Sequence, residues 1–236
     1  MSQASPGYSH ELGSLVAAFR QHLRHLSERG WKGWECSQQA LSTLEGLSDC
    51  ASQAPELVMD DPGACVRCGL SGTRTNVVFG KGPQDARLMF VMDVPDYEAD
   101  LTGEPFSGKT GDLLSRMIQA MKFSVDEVYV TSLVKCRPPQ NRAAEPGEME
   151  ACLPMLHRQI AEVSPEVVVA LGPEVASRLV VGDIPAQCRP GEFQPLGPAV
   201  VMPTHSLSRL LRQPNSKRDT WEHLKQVAAR LGRPVG

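Results

Sequence analysis

Arg87-Leu-Met-Phe-Val-Met-Asp-Val94 is a short, nearly continuous apolar run that ends on an acidic residue. A strand with one wet face alternates apolar and polar residues, whereas a strand buried on both faces reads as an unbroken apolar run. The stretch therefore predicts an interior strand of a sheet covered on both sides. Working outward, Val128 to Val134, Glu166 to Leu171 and Ala199 to Met202 read as three further strands. Between and after them, Thr110 to Met121, Gly147 to Val163, Pro173 to Val180 and Ser216 to Leu231 carry helical patterns. Strands alternating with helices predict an α/β fold with a parallel sheet. Ligands of such sheets bind beyond the carboxyl ends of the strands, which directs attention to the segments after Val94, Val134 and Met202.

Four cysteines stand out on this frame: Cys65 and Cys68 in Cys65-Val-Arg-Cys68, Cys136 in Val134-Lys-Cys-Arg-Pro-Pro139, and Cys152 in Glu150-Ala-Cys-Leu-Pro154. A close pair followed far downstream by two more suits one thiolate-bound centre, either a 4Fe-4S cluster or a structural zinc. Spacing alone leaves both open, along with four unrelated buried cysteines, since free Cys is often a small core residue. Cys36, Cys50 and Cys188 show no pattern.

The 236 residues fit one ordinary domain plus an appendage, and 41% hydrophobic with 22% charged residues is a globular composition. No apolar run approaches the length of a membrane span, and the N-terminus shows no signal-peptide core, so a cytoplasmic protein is expected. Seven cysteines make an awkward disulfide framework, which also favours a reducing compartment. The net charge of −3 argues against a globally basic nucleic-acid binder. The charge is uneven, however: residues 1–62 carry four Lys/Arg against eight Asp/Glu, leaving twenty against nineteen elsewhere. A DNA-facing surface must be local, with Lys109, Lys135, Arg137, Arg142, Arg209, Arg212, Lys217 and Arg218 as candidates.

The N-terminal part predicts a helical hairpin. Leu12, Leu15, Val16, Phe19, Leu23 and Leu26 recur at helical spacing from Glu11 to about Arg29, and a second helix is expected from Cys36 to Leu47. The expected organisation is a helical extension over 1–48, a linker over 49–62, and a domain over 63–236. A monomer is expected, with a protein partner for the N-terminal helices.

The cysteine surroundings resemble the iron-sulfur uracil-DNA glycosylases, the family 4 type of the uracil-DNA glycosylase superfamily. Cys65-Val-Arg-Cys68-Gly-Leu, Arg74 and Val77-Val-Phe-Gly-Lys-Gly82 are similar to that family's opening. Gly103-Glu-Pro-Phe-Ser-Gly108 with Gly111-Asp-Leu-Leu114, the run Val128 to Arg142, and Val167-Val-Val-Ala-Leu-Gly172 match later segments in order. The resemblance implies a three-layer α/β/α sandwich with a four-stranded parallel sheet and a 4Fe-4S cluster on Cys65, Cys68, Cys136 and Cys152. It also implies DNA as partner and hydrolysis of the N-glycosidic bond of uracil or a related deaminated base. In its terms Asp93 orients water, Phe106 stacks on the base, and Lys135, Arg137, Leu210 and Arg212 face DNA.

Three positions depart from that family. Its Gly-Glu-Ala-Pro-Gly turn is Met92-Asp-Val-Pro-Asp96 here, and its base-reading Asn is Ser132, which lacks the paired donor and acceptor of an amide. In Pro203-Thr-His-Ser-Leu-Ser-Arg-Leu-Leu-Arg212 the catalytic His position falls on Ser206, and His205 lies one residue early. The expectation is a glycosylase of altered base choice in which Ser132 reads the base edge and His205 acts from a shifted position. The rival is a non-catalytic module that binds DNA or a protein on the same scaffold.

Overall fold

The structure is a computed structural model that describes residues 62–180 and 189–235. The chain divides into two compact units, Met1–Val58 and Met59–Gly236. The predicted helical hairpin lies outside the described residues.

In chain order the second unit contains β1 (Leu88–Met92), α1 (Tyr97–Thr102), α2 (Gly108–Ala120), β2 (Val128–Ser132), α3 (Pro146–Val163), β3 (Val167–Leu171), α4 (Pro173–Leu179), β4 (Gln194–Leu196), β5 (Ala199–Thr204), α5 (Leu207–Arg212) and α6 (Ser216–Arg230). Among the described residues the strands form a five-stranded sheet in the order β2-β1-β3-β5-β4. The interior position of β1 explains its unbroken apolar run. It pairs in parallel with both neighbours, Leu88 opposite Val128 on one side and Val167 on the other. All five of its residues are buried. Leu88, Phe90 and Met92 pack with Leu114, Ile118, Leu224 and Val227 of α2 and α6. Met89 and Val91 pack on the opposite face with Leu156, Val175 and Leu179 of α3 and α4. Each such side chain contributes about 1.5–3 kcal/mol by leaving water.

The sheet differs from the expected four parallel strands by β4, an edge strand that pairs antiparallel with β5. Its three residues, Gln194-Pro-Leu196, are too short for a periodic signal, and Pro195 is tolerated because an edge strand need not donate on both sides. β5 also runs two residues past Met202 to Thr204, which carries the next turn to the carboxyl end of the sheet.

Local chemistry fixes the elements around that end. Asp96 caps α1 by accepting from Ala99 N at 2.9 Å, and Gly103 closes the helix in the left-handed region. Gly111 in the first turn of α2 lies so close to Phe106 that a Cβ would stand 2.2 Å from its carbonyl carbon, so any side chain there would push the Phe106 loop away. No helix among the described residues is long and apolar enough to cross a membrane.

Candidate functional site

A cleft of about 660 Å³ opens at the carboxyl ends of β1, β3 and β5. Met92, Asp93, Pro95 and Asp96 line it from the loop after β1, and Asn141 and Arg142 from the loop after β2. Glu174 enters from the first turn of α4, and Ser206, Leu207, Leu211 and Arg212 enter from the turn before α5 and from α5 itself. Asp93 is half-buried in the cleft wall. Its Oδ1 accepts from Val94 N at 2.9 Å. Burial pushes its carboxyl above the usual range, the Glu174 charge adds to that rise, and Arg212 opposes it. Asp96 is held in place by its cap bond and by Thr110, whose hydroxyl donates to it.

A second concavity collects all four cysteines: Cys65 and Cys68 from the N-terminal loop, Cys136 from the loop after β2, and Cys152 from α3. They are free thiols. Arg74 ties the site together by donating to Cys136 Sγ at 3.6 Å and to the carbonyls of Cys65 at 2.7 Å and Gly63 at 2.6 Å. Lys135 N donates to Cys152 Sγ at 3.3 Å. Burial pushes the Cys136 and Cys152 thiols up. Among the described residues no three His, Cys, Asp or Glu side chains are grouped closely enough to hold a single metal ion.

A family profile described as the Uracil DNA glycosylase superfamily matches residues 79–225. The chain belongs to the uracil DNA glycosylase superfamily. A Thermotoga maritima protein named type-4 uracil-DNA glycosylase is 40% identical over 159 residues, covering 66% of this chain and 83% of the relative. A Saccharolobus solfataricus protein of the same name is 40% identical over 125 residues, 52% of this chain and 58% of the relative. A type-5 uracil-DNA glycosylase of Pyrobaculum aerophilum is 36% identical over 173 residues, 66% and 75% respectively. This chain thus spans most of the Thermotoga relative and little more than half of the Saccharolobus one.

This superfamily member distributes the expected site residues unevenly. Asp93 and Arg212 line the cleft. Phe106 and Ser132 are absent from its lining: Phe106 is half-buried against the α2 core, and Ser132 is fully buried, its hydroxyl without a hydrogen-bond partner among the described residues. His205, expected to act from a shifted position, is also absent from the lining, its ring centroid 6.2 Å from that of His223 on α6. The cause is the strand's length. β5 pairs as far as Leu171 with Thr204, and Ser206 then caps α5 at the cleft, leaving His205 on the side of α6. Burial lowers the His205 pKa, with Arg209 acting in the same direction.

Two of the residues expected to face DNA, Lys135 and Leu210, are buried. Lys135 is buried, and its ammonium donates to Thr131 Oγ1 at 2.6 Å, Gln159 Oε1 at 2.6 Å and Ser132 O at 2.5 Å. Burial lowers its pKa to about 7. The available signal was Gln159, a polar residue on the apolar stripe between Leu156 and Val163. Lys135→Ala should leave three buried acceptors undersatisfied and cost about 3 kcal/mol in a denaturant melt, with no change in the salt slope of DNA binding. Leu210 is likewise core, at 1% exposed, whereas Leu211 is 42% exposed and lines the cleft. Leu210→Ala should cost about 2–5 kcal/mol of stability, while Leu211→Ala should leave the melt unchanged and weaken duplex binding. Asp96, Asn141 and Glu174 are cleft residues that sequence reasoning missed. Glu174 alone had a signal, since it follows Gly172-Pro173 directly after a strand's carboxyl end.

Proposed function

We propose that this chain is a DNA base-excision-repair glycosylase that hydrolyses the N-glycosidic bond of a deaminated base, uracil or a close relative. The observation that carries the reading is the cleft at the carboxyl end of the sheet with a half-buried carboxylate, Asp93, on its wall. The names of the type-4 relatives support it.

Excision requires the nucleotide to leave the duplex, and the sugar then develops oxocarbenium character as the base departs with the electron pair of the broken bond. Asp93, when ionised, holds and polarises a water aimed at the anomeric carbon and stabilises the positive sugar. Arg212 and Leu211, together on α5, engage the backbone phosphate and the gap in the stack. Phe106 and Ser132 do not line the cleft, so we assign the base edge to Asn141 and Ser206, which do. A neutral Ser206 hydroxyl stands where the family's imidazole would donate to the departing base, which lowers the rate on the order of a hundredfold. Ser206→His should therefore raise base release about tenfold or more, and should lower stability by about 1 kcal/mol because the cap bond to Arg209 N is lost.

The donor set of the second concavity fits a 4Fe-4S cluster on Cys65, Cys68, Cys136 and Cys152. The set is four thiolates brought together from three separate parts of the chain, the donor type that holds iron-sulfur clusters. The Arg74 and Lys135 donors to sulfur are of the kind that tune such a cluster. When bound it ties three loops together and supplies folding energy. We assign the protein to the cytoplasm, where DNA and a reducing thiol pool coexist.

The test is base release from single-stranded and duplex oligonucleotides carrying uracil, hypoxanthine or xanthine, scored by strand scission at the abasic site. Release from one of them establishes the enzyme and its base. Retained DNA binding with no release from any makes the chain a binding module on a glycosylase scaffold.

A further inference from the structure

Helix α1 presents two exposed apolar side chains one turn apart, Tyr97 at 51% and Leu101 at 48%. The inward residues of the same helix start, Asp96 and Ala99, line the cleft, so the exposed face borders its mouth. The Arg137 guanidinium carbon lies 4.9 Å from the centroid of the Tyr97 ring. Its Nε donates to Asn141 Oδ1 at 2.7 Å, and Asn141 is itself on the cleft wall. A continuous path therefore leads from the cleft through Asn141 and Arg137 to Tyr97. The neighbouring acidic side chain does not spoil it, because Glu98 is turned toward Gly108 at the start of α2. Among the described residues Arg137 has no ion-pair partner.

We propose that the Tyr97–Arg137 stack is a docking platform for an unpaired nucleobase flanking the nucleotide held in the cleft. The partner is single-stranded DNA. An exposed aromatic ring and a planar guanidinium both offer a face to a base, and the guanidinium keeps N–H donors for the adjacent phosphate. Such stacking is indifferent to base identity and is available only where the flanking bases are unpaired. The platform thus gives the chain a preference for single-stranded substrate. This inference rests on DNA being the substrate.

The experiment is fluorescence anisotropy with a labelled fifteen-nucleotide oligodeoxythymidine and a labelled duplex of the same length. Tyr97→Ala should weaken single-strand binding about tenfold and duplex binding less than about twofold, since one base stack is lost. Tyr97→Phe should bind as the unaltered chain does. Arg137→Lys keeps the charge and loses the planar stack, so it should follow Tyr97→Ala. Unchanged single-strand binding by Tyr97→Ala and Arg137→Lys, or an equal loss on both probes, overturns the platform and leaves the glycosylase reading standing. Failure of the unaltered chain to bind either probe overturns both.

Discussion

Asp93→Asn should abolish base release, by about 10²–10⁴-fold in a single-turnover assay, and should at the same time raise the melting temperature at neutral pH. The two effects have one cause. Asp93 is enclosed in the wall of the cleft, and burial together with the Glu174 charge disfavours its ionised form. Its folded pKa therefore lies above its unfolded one. Stability from this group is fully present below the unfolded pKa and is lost as pH rises through the folded pKa. The proposed role of Asp93 needs the ionised form, so activity should rise with pH over the range in which this stability falls. An amide keeps the bond from Val94 N and the shape of the side chain, but carries no charge at any pH. The variant should thus be inactive, folded, and free of the acid-to-neutral loss of stability. Glu174→Gln removes a like charge and should move the acid limb of the activity profile to lower pH while leaving turnover at high pH nearly intact. Base release by Asp93→Asn within threefold of the unaltered chain would remove Asp93 from the chemistry.

The sheet was readable because burial on both faces leaves a plain mark. The runs at Leu88–Met92 and Val167–Leu171 have no polar interruption, and both are interior strands. β4 left no mark, since three residues at an edge with a proline carry neither periodicity nor propensity. The cleft was readable as a place, at the carboxyl ends of the strands, but not as a residue list. Whether His205 or Ser206 faces it depends on where β5 stops pairing, and a one-residue difference exchanges the two sides. Residue type misled at Lys135, because lysine is nearly always at the surface unless polar partners such as Thr131 and Gln159 receive it inside. Leu210 and Leu211 are indistinguishable in sequence; helix phase alone sends one to the core and the other to the cleft.

Cys136→Ala should cost the fold before it costs the chemistry. Protein purified without oxygen should be brown and carry about four irons per chain. The variant should lose the iron and either precipitate or melt at a much lower temperature. Cys136 is 6% exposed, and the Arg74 guanidinium that donates to its sulfur also holds the carbonyls of Cys65 and Gly63. Removing the sulfur therefore takes away one of the three acceptors of Arg74 and leaves three thiols without their fourth partner. The segment from Gly63 to Arg74 is anchored mainly through Leu70 and these bonds, so it has little core of its own to fall back on. Base release lost in proportion to folded fraction would fit a structural centre, whereas full folding with lost release would place the centre in the reaction. Stoichiometric zinc without iron, or a Cys136→Ala melt equal to that of the unaltered chain, would overturn the cluster. Stripping iron from the unaltered chain should reproduce the melt of Cys136→Ala, because both would remove the proposed cluster that ties the three loops together.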